Sequence, residues 1–351
     1  MLDYIVVGLG LSGIAISRNL EKRNKQFVVF EDNSQKSSLV AGGLFNPVIL
    51  KRFTLAWNAN EQMEIAIPFY KEMEALLQAK ILHHVEICRK FFSAEEQNNW
   101  FAATDKPFLS KYLDTNLVKD INACIPSEFS FGRVLHTGVI DTDVLIKEYR
   151  DNLKNTEKIQ FERFDYNALK VNEDSVSYKG VSAKQIIFCE GFGLQYNPYF
   201  NYLPLRGNKG EYITIYSEEL KLEAAVKSSV FIIPLGNNLY KVGATYNNQD
   251  KDPQPSRAAR EELEKKLAKL ITCKFEVVDQ SAGIRPASKD RKPMLGRHPE
   301  HKNLYCCNGF GSRGVLISPT VSVQLIKFIE EDIQLPQEID LQRFSKKHFP
   351  S

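Results

Sequence analysis

Apolar positions fall into two rhythms along the chain. Residues 3–7, DYIVV, make a short apolar run of strand length. GLGLSG follows, then IAISRNLEKRN in helix-like spacing, then a second apolar run, FVVFE, that ends at Glu31. This succession predicts a β-α-β unit. SSLVAGGLFNPVI breaks the rhythm, and its two glycines and proline predict a loop. Residues 57–78 space apolar positions helically with charges between them, which predicts an amphipathic helix. Residues 80–135 read as short strands and loops. GRVLHTGVIDTDVLIKEYRDNL predicts a strand, a turn and a helix capped by Asp141 or Thr142. KIQFERF, the hairpin-like LKVNEDSVSYKG and the apolar strand KQIIFCEGFG come next. Residues 205–245 alternate in GEYITIYS, SVFIIPL and LYKVGATY, as strands of an antiparallel sheet do. DPQPSRAAREELEKKLAKLI predicts a helix with proline ahead of it and Ser256 as its cap. LYCCNGFGSRGVLISP then repeats strand, glycines and helix. No repeat, low-complexity tract or linker separates these parts, so two halves that interleave are expected.

Composition narrows the class. A chain of 351 residues suggests two domains at about 150 residues each. With 43% hydrophobic and 25% charged residues it can bury a large core without disulfides or metal. Its 46 basic and 43 acidic residues leave a formal charge of +3, which gives no chain-wide footprint for nucleic acid. No apolar run reaches the roughly 18 residues of a membrane span. The opening MLDYIVVGLGLSG carries an acid and no base ahead of its apolar stretch, so export is not expected and the cytoplasm is. None of the six cysteines forms CxxC, and reduced thiols in the core are expected. Cys306 and Cys307 are adjacent and should point to opposite faces of a strand. The six histidines match no zinc pattern, so no metal is expected. No nucleophile elbow or phosphate-binding P-loop stands out, which leaves hydrolase and kinase readings poor.

The clearest chemistry lies in the first turn. Gly8, Gly10 and Gly13 spell GxGxxG directly after a strand and at the start of a helix. Gly8 permits the turn, Gly10 lets backbone approach a pyrophosphate, and Gly13 lets the helix pack close to the sheet. Glu31 follows at the end of the second strand, where a ribose hydroxyl needs an acceptor. Together these predict a dinucleotide without a 2′-phosphate. The acid does not separate NAD from FAD. AGGLFNP, residues 41–47, is a loop placed to line a long cofactor, and it favours FAD. A second string at Gly309, Gly311 and Gly314 has no strand with a terminal acid after it. It predicts a helix start aimed at a flavin ring, where N–H groups favour developing negative charge.

These motifs together resemble the D-amino-acid oxidase superfamily of FAD enzymes, over most of the chain and in order. The likeness is carried by GLGLSG with Glu31, AGGLFNP, GRVLHTGVIDTDVLIK, IIFCEGFG, FIIPLGNNLYKVGATY, GIRPASKDRKPMLGRHP and GFGSRGVLISP. Within the superfamily the sequence is similar both to glycine oxidases and to the oxidase half of the bacterial bifunctional enzymes that modify the tRNA wobble uridine. The resemblance implies an α/β fold in which a Rossmann-type FAD-binding domain interleaves with an α+β substrate domain carrying a mainly antiparallel sheet. The division expected is 1–80, 134–204 and 281–351 for FAD, and 81–133 and 205–280 for substrate. Expected FAD contacts are Gly8, Gly10, Leu11, Ser12, Gly13, Glu31, Asp32, Gly42, Gly43, Leu44 and Gly191. Those in the last block are Gly311, Ser312, Arg313, Gly314, Val315 and Leu316. Covalent flavin in sarcosine-oxidase relatives uses a cysteine of the C-terminal block. Residues 283–299 contain none, so FAD is expected to be non-covalent.

Oxidising an amine moves a hydride from the carbon beside nitrogen to flavin N5, and the protein positions the donor. A carboxylate on the substrate calls for a cation, and arginine suits it. The resemblance assigns that role to Arg285; a surface ion pair, perhaps with Asp290, is the competing reading. Arg313 is expected at the substrate or holding its loop. Tyr246 and Tyr240 stand on substrate-domain strands as weaker hydroxyl candidates. Arg206 and Lys209 are expected to be solvated charges. The expected function is FAD-dependent oxidation of an amine or amino-acid C–N bond, with a small-molecule partner. An alternative is oxidation of a carboxymethylaminomethyl group on tRNA, for which Lys51, Arg52, Arg89, Lys90 and Lys111 would supply a basic groove. A third is a non-catalytic flavin-binding protein.

Overall fold

The computed structural model describes residues 1–345, 348 and 349. Its first unit is β1 (Leu2–Val7), α1 (Leu11–Lys22) and β2 (Phe27–Glu31), with the two strands parallel. The other edge of β1 pairs in parallel with Val181–Phe188, and that strand pairs in parallel with Leu304–Asn308. Ile159–Phe161 extends the sheet beyond β2. The hairpin Leu169–Val171 and Val176–Tyr178 and the strand Met294–Arg297 add antiparallel edges. Every residue of β2 and of Leu304–Asn308 is buried, as a parallel sheet covered on both faces requires. One face packs against α1 and the helices Ala59–Leu77, Thr142–Asn155 and Gly314–Glu331. The other packs under the aromatic cluster of Phe164, Tyr178, Phe188 and Phe200. Cys307 belongs to the first core and Cys306 to the second, so the adjacent thiols do face opposite ways.

A second sheet of eight strands runs in the order Glu276–Ser288, Leu205–Tyr216, Leu239–Gly243, Phe231–Gly236, Ala225–Lys227, Ile87–Lys90, Phe131–Val134 and Leu113–Val118. All its pairings are antiparallel except Ala225–Lys227 with Ile87–Lys90. Alternation decides which side faces what. Ile213, Ile215, Ile232 and Val242 pack with Leu263 and Leu267 of the helix Arg257–Ala268, which Ser256 caps through Ala259 N at 3.3 Å. The opposite face carries Gly210 and Tyr212 and roofs a cavity. Glu276–Ser288 stays in this sheet to its end, so residue 281 falls inside a strand.

Two local readings change. Residues 80–135 contain a helix, Ala94–Thr104, where strands and loops are expected. Ser93 Oγ accepts from Glu96 N at 3.2 Å, and the Glu96 carboxylate accepts from Phe92 N at 2.9 Å. That capping arrangement starts the helix, and its tertiary anchor is a single fully buried tryptophan rather than a long apolar stripe. All six cysteines are free thiols, but Cys124 and Cys273 are only half-buried, at a loop and a sheet margin. Among the described residues no helix is long and apolar enough to cross a membrane.

Trp100 ties the far edge of the second sheet to the hairpin of Val48–Ile49 and Thr54–Leu55. Its ring meets Phe53 and Phe91 edge-on at 5.4 and 5.5 Å, and its Nε1 donates to Asp114 O at 2.9 Å. Gly132 lies so close that a Cβ there would come within 2.6 Å of the indole. Trp100→Ala is expected to cost about 3–5 kcal/mol. Urea denaturation should show a lower midpoint at unchanged slope; a cost below about 1 kcal/mol would mean that the site collapses around the smaller side chain.

Candidate active site

The turn between β1 and α1 is closed by direct backbone packing. Gly8 has φ +95°, and a Cβ there would stand 2.7 Å from Cys189 O. A Cβ on Gly13 would stand 2.0 Å from Gly8 O, so α1 can approach β1 this closely only with glycine at 13. Gly10 differs: a Cβ there would meet only Ser38 Oγ, at 3.0 Å. Apart from Ser38 Oγ on Leu11 N, no side chain among the described residues caps α1, whose start otherwise opens toward the cavity. Leu11 N reaches Ser38 Oγ at 3.2 Å, and Ser12 Oγ donates to Cys307 O at 2.8 Å. Glu31, buried at the end of β2, accepts from Leu9 N and, at 2.6 Å, from Asn33 N. Burial raises its pKa above the usual carboxylate range, against the pull of those two N–H groups.

These groups open on one cavity of about 1150 Å³, above the roughly 300–1,000 Å³ usual for a small-ligand site. Of the expected cofactor residues, Gly8, Gly10, Leu11, Ser12, Glu31, Asp32, Gly42, Gly43, Leu44, Gly191, Gly311, Ser312, Arg313, Gly314, Val315 and Leu316 all line it. Gly13 does not; it serves packing. The cavity fits an anionic dinucleotide on two observations. Glycine 10 leaves a cradle that any side chain would fill. Two lining arginines, Arg150 and Arg313, each keep a buried Nε with no hydrogen-bond partner among the described residues.

Arg150 was not foreseen. It stands one turn after Ile146 on the helix Thr142–Asn155, and both line the cavity while Leu145, Tyr149 and Leu153 fill the core. Glu190 was also passed over inside IIFCEGFG. It is buried in the cavity wall; Tyr166 Oη donates to one oxygen and Asn197 Nδ2, at 2.8 Å, to the other. Burial pushes its pKa up to about 7 despite those donors.

Arg313 precedes the helix Gly314–Glu331 and donates to Asn46 O at 2.6 Å, so it braces the AGGLFNP loop. Burial pulls its pKa down to about 10. Across the cavity, Arg285 Nη1 donates to Asn208 Oδ1 at 2.7 Å and to Thr245 O at 3.2 Å. Its guanidinium lies 4.5 Å from the Tyr246 ring centroid. Asp290 pairs instead with Arg343, at 2.9 Å, and among the described residues Arg285 has no carboxylate within 4.0 Å. Tyr246 lines the cavity but is 71% exposed and lies past the end of its strand. Tyr240 is buried in the core on the other face, where its hydroxyl accepts from Leu222 N at 3.3 Å. The cavity tyrosine that alternation on GEYITIYS would have singled out is Tyr212, whose ring lies under the Lys241 ammonium at 5.3 Å.

Two expectations about charge are corrected. Lys209 is not solvated: it is 2% exposed and held by Asp250 at 2.7 Å and Glu211 at 3.4 Å. Its strand faces it into the sheet margin, away from the cavity, while Arg206 is exposed. Arg89 cannot join a basic groove, because it is buried and paired with Glu96. Lys51, Arg52 and Lys111 are exposed and Lys90 is half-buried. Outside the cavity, His298, Glu300 and His301 bring their ligand atoms within 4.8 Å. His298 Nδ1 accepts from Glu300 N and His301 N at 3.1 and 3.2 Å, closing the turn, and burial pulls its pKa down to about 4.

Comparison with known proteins adds a lineage. A family model described as FAD dependent oxidoreductase matches residues 3–326. The tRNA 5-methylaminomethyl-2-thiouridine biosynthesis bifunctional protein MnmC of Legionella pneumophila is 24% identical over 398 residues, covering 98% of this chain and 57% of that protein. The chain thus spans little more than half the length of that relative. Glycine oxidase of Bacillus subtilis is 23% identical over 350 residues, covering 93% of this chain and 92% of that one. The crystal structure of glycine oxidase from Geobacillus kaustophilus shares the fold, with a TM-score of 0.78 at 20% identity over 98% of this chain and 97% of that one.

The glycines separate cofactor from packing. Gly10→Val should leave a folded protein that cannot retain FAD, because its side chain has room in the fold but occupies the cradle. Gly13→Ala should lose stability with or without FAD, because its Cβ meets backbone. Flavin content and thermal midpoint of the two purified variants distinguish these outcomes; a flavin-loaded Gly10→Val would show that the cradle is not where phosphate lies.

Glu190 sets a pH dependence. Its folded pKa of about 7 exceeds the ordinary 4.5, so its contribution to stability is complete below about 4.5 and is lost as pH rises through about 7. The loss should reach at most roughly 3 kcal/mol. Glu190→Gln should flatten the stability profile between pH 5 and 8; an unchanged slope would assign it to other groups.

Proposed function

The chain belongs to the FAD-dependent oxidoreductase family, matched over residues 3–326, and on that premise we propose that it oxidises the C–N bond of a small amine bearing a carboxylate. The D-amino-acid oxidase resemblance read from the sequence agrees with this family. One observation carries the substrate reading: Arg285 faces the cofactor cavity as a cation with no carboxylate within 4.0 Å among the described residues.

FAD would be held, without a covalent bond, by the open start of α1 and the Gly10 cradle at its pyrophosphate, and by Glu31 at its ribose. Arg150 would add a cation beside them. Residues 42–44 and the helix start at Gly314 would flank its ring. When bound, FAD supplies the acceptor for the hydride that leaves the substrate carbon. The chain's own groups do the rest. Arg285 is fixed in orientation by Asn208 and Thr245 through one nitrogen. Its remaining N–H groups are free to hold a carboxylate by two-point hydrogen bonding. Leu44, Phe231 and Ile233 give the wall an apolar stretch, which favours the neutral amine that can release hydride. The uncapped start of Gly314–Glu331 favours negative charge nearby.

A second reading, a tRNA-borne carboxymethylaminomethyl substrate, draws on the Legionella relative and on exposed Lys51 and Arg52 at the cavity rim. Loss of Arg89 from the basic set weakens it. A salt-sensitive tRNA gel shift would support it. Bleaching of the flavin by any amine, without air, would exclude a purely binding role.

Arg285→Met should lower kcat/KM for an amino acid roughly tenfold to a hundredfold, from loss of a charge-assisted contact worth about 1.5–3 kcal/mol. The decarboxylated amine should lose far less, and FAD content should hold. Equal losses for both substrates would make Arg285 a shaping residue rather than the carboxylate's anchor.

A further inference from the structure

Arg285 is not the only cation that meets the cavity without a counter-charge. Lys227 ends the strand Ala225–Lys227 and lines the same cavity from the other side of the roof. It is half-buried, and its ammonium lies 4.8 Å from the Phe231 ring centroid. Among the described residues it has no carboxylate within 4.0 Å and no hydrogen-bond acceptor. Several other buried cations are answered: Lys209 by Asp250 and Glu211, Arg89 by Glu96, Arg343 by Asp290, Lys241 by Ala41 O at 3.1 Å, whereas Arg150 and Arg313, which also line the cavity, each keep a buried Nε without a partner among the described residues. Burial pulls the pKa of Lys227 down to about 8, and Arg89 and Lys266 add repulsion. A desolvated cation held in that way is costly unless an anion arrives.

Among the described residues none stands free at that end. The carboxylates lining the cavity are Glu31, Asp32, Glu162, Glu190 and Asp290. Glu31 and Asp32 follow β2 at the nucleotide end; Glu162 and Glu190 are hydrogen-bonded there by Tyr178 and Tyr166. Asp290 is taken by Arg343. The substrate end therefore carries Arg285 and Lys227, with exposed Lys51 and Arg52 at the rim, and no free carboxylate of its own.

Strand order gives the spacing of the two cations. The Arg285 guanidinium lies over Gly210, where an added Cβ would come within 2.0 Å of Nη2. The Lys227 ammonium lies over Phe231. One strand, Leu239–Gly243, separates the strands of Gly210 and Phe231. Tyr212 and Phe231 both pair with Gly243, so Gly210 is offset by two residues along its strand, and two inter-strand steps with that offset amount to about 12 Å. Charge-assisted contacts of about 2.8 Å at each end leave roughly 6 Å between the two anionic oxygens. That is the span of an acidic amino acid or of an N-carboxymethylated one, and Phe231 and Ile233 offer an apolar wall to the methylenes between.

We propose that Lys227 forms a second anion subsite and that the substrate is a small amine carrying two carboxylates, one on Arg285 and one on Lys227. The proposal rests on the reading of Arg285 as the first carboxylate's anchor. An RNA phosphate is the less suited occupant, because the Lys227 ammonium is recessed in the wall whereas Lys51 and Arg52 are at the surface.

The test uses the FAD-loaded protein under anaerobic conditions and follows flavin bleaching. The panel pairs dicarboxylates (both enantiomers of aspartate and glutamate, and N-(carboxymethyl)glycine) with glycine and sarcosine. The wild-type protein should prefer at least one dicarboxylate by tenfold or more in kcat/KM. Lys227→Met should cut that preference ratio tenfold or more through KM, with the flavin spectrum unaltered, and Lys227→Arg should restore part of it. Arg285→Met, run alongside, separates the two readings. If Arg285→Met impairs every carboxylate while Lys227→Met leaves the ratio intact, the second subsite is wrong and the first stands. If Arg285→Met impairs none, the underlying reading fails. Absence of any dicarboxylate preference in the wild-type protein overturns the proposal, as does a Lys227→Met variant that weakens a tRNA gel shift without changing the ratio.

Discussion

The cavity depends on how closely α1 can approach the end of β1. With a Cβ at residue 13 standing 2.0 Å from Gly8 O, that approach exists only for glycine. It brings the open start of α1 to the carboxyl end of a buried parallel sheet. There the neighbouring strand Val181–Phe188 ends against the same turn, Cys189 N donating to Val7 O at 2.7 Å. Ligands of open α/β sheets lie outside the carboxyl ends of the strands for this reason. The helix Gly314–Glu331 rises from the same edge after Leu304–Asn308, so two helix starts face one space. A change at residue 13 would disturb both helix starts that face the cavity.

The second constraint is electrostatic. The antiparallel roof turns its apolar face to the helix Arg257–Ala268 and its mixed face to the cavity. Structural ion pairs are placed at its margins: Lys209 with Asp250 and Glu211, Arg89 with Glu96, Arg343 with Asp290. Arg285 and Lys227, which have no carboxylate within 4.0 Å among the described residues, face the cavity. A ligand's charge thus supplies what the fold omits, which favours an anionic substrate over a neutral amine.

The nucleotide half was legible because its signals are local. Gly8, Gly10, Gly13 and Glu31 sit within one β-α-β unit whose spacing fixes their geometry. The helices at Thr142 and Arg257 were legible from Asp141 and Ser256, which do cap them. The helix Ala94–Thr104 was missed although Ser93 and Glu96 carry the same signal, because its apolar face is too narrow to show periodicity. Arg285 came from resemblance, and geometry alone removed Asp290 as its partner. Tyr212 was legible from the alternation of GEYITIYS but was passed over, whereas Lys227 and Arg150 were not legible. Each reaches the cavity from a separate element, and Lys227 does so on a strand whose neighbour, Ile87–Lys90, lies far away in the sequence. Lys209 was misread as solvated because Asp250 reaches it from the loop beyond Leu239–Gly243, while Glu211, two residues along the same strand, gives no sign of burial in the sequence.

The central claim is that one cavity holds the flavin and an anionic amine side by side. It is tested most directly by titrating the FAD-loaded protein with a carboxylate that has no amine, such as acetate or benzoate, and recording the visible flavin spectrum. The account predicts a saturable perturbation that competes with oxidisable substrate and is weakened by Arg285→Met. A flavin spectrum that stays unchanged up to concentrations that saturate other carboxylate sites would contradict it, because the anion site would then not adjoin the ring.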